Sequence, residues 1–165
     1  MTGRLLCFIV LIGLFVFVGC GSKEEAAEQP AEKETQEVAS DEREEPQYVK
    51  VQHILIGFDG SLPGRKITRT REQAAELAAE LLEKAKAGED FDALVKEYTD
   101  DSHPGIYKMA NHGLAADRAG GVFSRGGMVR GFGDVGFSLG VGEIGMASYD
   151  PTTSPYGWHI IKRLE

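Results

Sequence analysis

A chain of 165 residues with 42% hydrophobic side chains has room for one ordinary domain with a real core, and not for two. The net charge of −8 is uneven: residues 21–48 hold ten acids and three bases, while residues 49–165 hold sixteen acids and fourteen bases, so the domain is nearly neutral and gives no argument for nucleic acid. Both cysteines, Cys7 and Cys20, lie in the first twenty residues, which excludes a disulfide or a cysteine nucleophile from the domain itself.

Residues 1–20 carry one basic residue, Arg4, followed by an apolar run from Leu5 to Val18. That run, about fourteen residues, is short for a membrane-spanning helix and right for the apolar part of a secretory signal. It ends Phe17-Val18-Gly19-Cys20-Gly21-Ser22. Small residues just before a cysteine resemble the bacterial lipobox, in which the signal is removed and the cysteine takes up lipid. That resemblance implies Cys20 as the first mature residue, anchored by acyl chains in the cell envelope. Gly21 after the cysteine, in place of Asp, implies the outer membrane, periplasmic side, where the organism has one. Phe17 departs from the usual Leu, and an ordinary signal or a membrane helix is the alternative.

Residues 21–47 are Glu, Ala, Gln, Lys, Ser and Pro with almost nothing bulky and apolar. Such a segment cannot bury enough surface to offset its chain entropy, and it reads as a disordered acidic linker extended by its own repulsion.

The domain is expected over residues 48–165. Tyr48 to Ile56 is β-rich and mostly alternating, which predicts a strand. Gly57 to Gly64 is a turn-rich loop. Thr70-Arg71-Glu72-Gln73 has the form of a capping box, and Ala74, Leu77, Ala78, Leu81, Leu82 and Ala85 repeat at helical spacing up to the stop at Gly88. Asp90 is placed to cap a second short helix carrying Phe91, Leu94, Val95 and Tyr98. Residues 105–119 read as a loop. Val141 to Tyr149 and Trp158 to Leu164 read as two closing strands joined by a turn-rich segment. One strand, several helices and an antiparallel pair make an α+β pattern.

The most unusual stretch runs from Gly120 to Phe137. Its glycines allow tight turns and close approach of another chain, and between them stand Phe123, Met128, Phe132 and Phe137. Met128 and Phe132 are four residues apart, so a helical turn would put them on one face. Two readings stand open: a glycine-rich loop and helix feeding the core, or an apolar cup of thioether and flat rings open to a proline ring.

Four pieces then line up in order: Val51-Gln52-His53-Ile54-Leu55-Ile56; Gly88-Glu89-Asp90-Phe91 running to Tyr98-Thr99-Asp100-Asp101; Gly120-Gly121 through Gly127-Met128-Val129 and Phe132 to Phe137; and Val141-Gly142-Glu143-Ile144 followed by Tyr156-Gly157-Trp158-His159-Ile160-Ile161-Lys162. Together they resemble the parvulin family of peptidyl-prolyl cis–trans isomerases across essentially all of residues 49–165. The resemblance implies a small antiparallel sheet of about four strands surrounded by about four helices. It implies His53 and His159 as the two central histidines, a buried hydrogen-bonded pair supporting the site, and Asp101 as the acidic residue facing the rotating carbonyl. Met128 and Phe132 match the proline-pocket positions, with Phe137 behind them. Thr152 or Ser154 stands near the position of a family hydroxyl.

Three departures accompany it. No Asp-Leu pair follows the first glycine of the glycine-rich stretch, so no leucine stands at that pocket position, and Val122 or Phe123 is left to fill it. The segment from Pro104 to Asp117 is an insert able to form a lid or rim. Arg65, Lys66 and Arg69 resemble the phosphate-directed branch, yet the loop is shorter and Gly57 stands where that branch keeps a basic residue. They read as a solvated helix entrance in preference to an anion site, and no phosphate preference is expected.

Rotation about an X–Pro bond breaks no bond, so neither cofactor nor metal is expected, and the partners implied are proline-containing unfolded or partly folded polypeptides. A rival is a non-catalytic, chaperone-like module on the same fold. A second is a metal enzyme using His53, His103, His112 or His159, for which no HExxH or paired-cysteine spacing exists. The glycines do not spell a P-loop.

Overall fold

The computed structural model describes residues 44–165. The expected signal segment, Cys20 and residues 21–43 of the acidic linker lie outside the described residues. The elements run β1 (Tyr48–Ile56), α1 (Arg71–Lys86), α2 (Phe91–Tyr98), β2 (Ile106–Ala110), β3 (Val122–Ser124), a short 3-10 turn (Arg125–Gly127), α3 (Arg130–Ser138), β4 (Ile144–Ala147) and β5 (Trp158–Arg163). They form one five-stranded sheet in the order β3-β2-β1-β5-β4. The α+β class holds, with five strands and three α-helices where about four of each are expected.

The first two helices begin as the sequence reads. Thr70 accepts from the Gln73 backbone N–H while the Gln73 side chain accepts from the Thr70 N–H, and Asp90 caps α2 by accepting from Ala93 N–H. They cover one face of the sheet, where Ile54, Ile56, Leu81, Leu94, Val95 and Ile160 are buried together. The opposite face carries α3 and a second cluster of Val49, Val51, Met109, Phe132, Phe137 and Ile161. Residue alternation along β1 puts His53 and Leu55 on this second face, and the antiparallel register Leu55↔His159 brings His159 to it from β5.

The 105–119 loop reading is corrected. Ile106 to Ala110 pairs antiparallel with β1, from Tyr48↔Ala110 to Gln52↔Ile106, so part of the expected lid is a strand beside the centre of the sheet. β3 then pairs parallel with β2 through Met109↔Phe123, so the sheet is antiparallel except at this edge. The single helical turn expected to hold Met128 and Phe132 is also corrected. Met128 ends the 3-10 turn in an extended conformation, and α3 starts two residues later.

Glu45 to Gln47, expected in the linker, are bonded to the domain. Glu45 accepts from Arg125 and Asn111, the Asn111 side chain donates to the Pro46 carbonyl, and Asn111 N–H donates to Gln47.

Candidate active site

Where β2 leaves β1, the vacated strand edge is taken by the loop after α2. His53 N–H donates to the Gly105 carbonyl at 3.0 Å, Leu55 N–H to the Thr99 hydroxyl at 3.1 Å, and Asp100 N–H to the Leu55 carbonyl at 2.8 Å. Gly105 has φ +64, and a Cβ there would lie 2.7 Å from the His53 carbonyl oxygen, so only glycine lets the loop lie this close. Asp100 is held by Arg69 and accepts from Gly57 N–H at 2.8 Å. This clasp leaves Asp101 facing His53.

The site is a cavity of about 290 Å³ on the α3 face of the sheet. β1 contributes His53 and Leu55, β5 His159, β2 Tyr107, and the α2–β2 loop Asp101. The glycine-rich stretch contributes Met128, Val129 and Phe132; Leu62 and Pro63 come from the β1–α1 loop, and Tyr156 from the β4–β5 loop. The lining is mostly apolar.

Its polar groups form one chain. His53 Nε2 lies 3.1 Å from Asp101 Oδ2, and His53 Nδ1 lies 3.3 Å from His159 Nδ1, with the rings 5.4 Å apart and 19° from parallel. The Tyr107 hydroxyl donates to the same Asp101 oxygen at 3.2 Å. The bond from His53, with help from Ser102 N–H and Tyr107, holds the Asp101 carboxyl down at about 2 against the opposing effect of burial. Burial, reinforced by His53, pushes His159 from 6.5 down to about 3, so its ring is neutral. An ionised Asp101 only accepts, which assigns the His53 Nε2 proton to that bond. Across the 3.3 Å contact one of the two facing Nδ1 atoms donates and the other accepts. His159 Nε2 is left buried and, among the described residues, without a hydrogen-bond partner.

His53, Asp101, His159, Met128 and Phe132 are thus gathered in one cavity. Phe137 is buried in the cluster behind Phe132 and does not line the cavity; the Arg125 guanidinium lies over its ring at 4.8 Å. Phe123 stands outside with its ring against Tyr107 at 5.7 Å. Val122, on the same short strand, is not in the lining either. Thr152 is exposed and bonded to Asp150, and the buried Ser154 hydroxyl donates to the Gly157 carbonyl at 2.8 Å; neither reaches the cavity. Arg65 and Lys66 are exposed and outside the lining, while Arg69 is committed to Asp100. His103 pairs with Asp92 at 3.1 Å, apart from the cavity. Among the described residues no cluster of three His, Cys, Asp or Glu side chains is arranged to hold a metal.

Sequence reasoning missed Tyr107, Leu62, Pro63 and Tyr156. Tyr107 sits on the strand read as a loop. Leu62-Pro63 is an apolar pair between glycines, a signal that was visible but not distinctive.

The sequence model of the PPIC-type PPIase domain matches residues 35–165. The foldase protein PrsA of Oceanobacillus iheyensis is 34% identical over 116 residues, covering 69% of this chain and 28% of that protein. The chaperone SurA of Chromohalobacter salexigens is 33% identical over 114 residues, covering 68% of this chain and 21% of that one. The chain thus spans under a third of the length of either relative. Among solved structures, the solution structure of TbPIN1 aligns with a TM-score of 0.53 at 24% identity, covering 72% of this chain and 98% of that one. The peptidyl-prolyl isomerase ESS1 from Candida albicans aligns with a TM-score of 0.51 at 24% identity, covering 72% of this chain and 63% of that one. These likenesses are to the fold. The matched family span takes in every element from β1 to β5, and the chain belongs to the PPIC-type peptidyl-prolyl isomerase family, the parvulins.

Proposed function

We propose that the domain accelerates cis–trans rotation about X–Pro bonds in unfolded or partly folded polypeptides outside the cytoplasm. The observation that carries this reading is a mostly apolar cavity whose polar groups are a buried, hydrogen-bonded histidine pair and one ionised, half-buried carboxylate.

The barrier to rotation, about 18–20 kcal/mol, comes from amide resonance. Twisting the bond returns the lone pair to nitrogen and makes the carbonyl oxygen less negative. A site lowers the barrier by binding that twisted form better than either planar one. Met128 and Phe132 grip the proline ring, with Phe137 supporting Phe132 from behind. Asp101 stands beside the preceding carbonyl, where its charge disfavours the more polar planar amide. Low dielectric in the cavity strengthens that effect. His53 and His159 hold Asp101 in place and need no proton transfer to do so. No covalent intermediate forms.

Cys20 carries lipid, residues 21–43 form the tether, and the domain faces the periplasm from the outer membrane where the organism has one. The relatives' names, foldase and chaperone, support exported polypeptides as clients.

The test is cis-to-trans kinetics on a proline-peptide series with the full chain. Met128→Ala removes about two buried methylene equivalents and is expected to lower kcat/KM about tenfold. Activity confined to a refolding assay, and unchanged by Met128→Ala, would establish instead a binding module without turnover.

A further inference from the structure

We propose that Tyr107 is a positioning residue of this site: its hydroxyl fixes the Asp101 carboxylate, and its ring supplies pocket wall that residues 120–124 do not. The proposal rests on the isomerase reading above and deepens it.

Tyr107 lies opposite Val51 in the β1–β2 register, one alternation from His53 on the same face. Its ring is braced on three sides, by His53 at 5.4 Å and 88°, Phe132 at 5.8 Å and 81°, and Phe123 at 5.7 Å and 65°. Each is an edge-on arrangement that favours one ring orientation. A ring so fixed delivers its hydroxyl to one point, Asp101 Oδ2, the oxygen that also faces His53 Nε2. Two donors from two neighbouring strands therefore converge on one carboxylate oxygen. Ser102 N–H holds the carboxylate from its own loop, and the Tyr107 hydroxyl adds a hold from the sheet beside His53, which limits turning about the Cβ–Cγ bond.

The groups facing this carboxylate are His53 from β1, His159 beyond it on β5, Tyr107 from β2 and Ser102 N–H from its own loop, while the adjacent Asp100 is bound by Arg69. Tyr107 must stay protonated to donate. Burial and the Asp101 charge raise its pKa, which keeps the phenol neutral at working pH. The pocket leucines present, Leu55 and Leu62, come from β1 and its following loop, so Tyr107 and not the glycine-rich stretch closes the β2 side.

The experiment compares the full chain with Tyr107→Phe and Tyr107→Leu. Tyr107→Phe keeps the ring, so KM holds and the urea midpoint falls only modestly while kcat falls about tenfold as the carboxylate loses its fixed orientation. Tyr107→Leu also loses the braced wall, and its KM rises as well. A second readout does not depend on turnover. With tyrosine labelled in the ring carbon bearing oxygen, the Tyr107 resonance is assigned by its loss in Tyr107→Phe and followed through its alkaline titration. In Asp101→Asn it titrates at lower pH than in the wild type. Rates for Tyr107→Phe within about twofold of wild type, or a Tyr107 titration indifferent to Asp101→Asn, would overturn the proposal. A wild-type chain that turns over no proline peptide defeats the isomerase reading, and the phenol titration alone then decides whether Tyr107 holds Asp101.

Discussion

Of the two ring nitrogens of His159, Nδ1 meets His53 at 3.3 Å and Nε2 meets no hydrogen-bond partner among the described residues. A histidine held this way makes the fold sensitive to acid. In the unfolded chain it takes a proton near 6.5; in the folded chain it does so only at about 3. Between those values protons bind the unfolded state in preference, so stability present above pH 6.5 is lost as pH falls toward 3. At pH 5 the loss attributable to this residue is on the order of 2 kcal/mol. Asp101 adds in the same direction lower down, since its depressed pKa gives stability that is lost as pH falls from 3.8 toward 2. Urea unfolding at pH 7, 6 and 5 is expected to show a falling midpoint in the wild type and a flatter one in His159→Gln. Equal slopes would remove His159 as the source. The histidines are legible in the sequence because each interrupts a β-rich apolar run. That the two rings meet is expected from the family resemblance; which nitrogens meet is not legible, because strand register and ring orientation decide it.

At the scale of elements, the β1–α1 loop decides what the cavity accepts beside proline. A Cβ on Gly57 would overlap Leu62 Cδ1 and come within 2.9 Å of Ile67 Cδ1, so the bare glycine is what lets Leu62 fold back into the lining. Ser61 fixes the turn by accepting from Phe58 N–H at 2.9 Å and donating to the Tyr156 carbonyl at 3.0 Å. The wall is therefore Leu62, Pro63 and Tyr156, uncharged, with Arg65 and Lys66 turned to solvent. An apolar residue next to proline is expected to be favoured over phosphoserine. Leu62→Ala should lower kcat/KM for a Leu-Pro peptide about fivefold and leave an Ala-Pro peptide nearly unchanged. A large gain with phosphoserine would give Arg65 and Lys66 the anion role instead. The elements legible in the sequence are those with local signals: α1 by its capping box, α2 by Asp90, β1 by its mostly alternating run and β5 by its apolar run after the turn-rich segment. β2 is five residues between Gly105 and Asn111, and β3 is three residues after paired glycines. β2 owes its strand character to the edge that β1 offers, and β3 to the edge that β2 then offers, which are properties of the fold and not of the segments.

For the whole molecule, function divides along the chain. Every residue lining the cavity lies between His53 and His159, inside the nearly neutral part of the sequence. The acidic surplus is concentrated in residues 21–48. An acidic tether repels an anionic membrane surface, and so holds a domain off it while a lipid holds the chain on. One acyl chain anchors only reversibly, so stable retention needs more than one chain on Cys20. Cys20→Ser is therefore expected to move the protein from the membrane fraction to the soluble envelope fraction. Its kcat/KM on short proline peptides, measured in detergent beside the wild type, should be unchanged within about twofold, because no cavity residue is altered. Mass spectrometry of the wild type should find an acylated Cys20 as the first residue. Full membrane retention of Cys20→Ser would mean that the apolar run from Leu5 to Val18 is itself the anchor, and would remove the lipid from the account while leaving the isomerase reading intact.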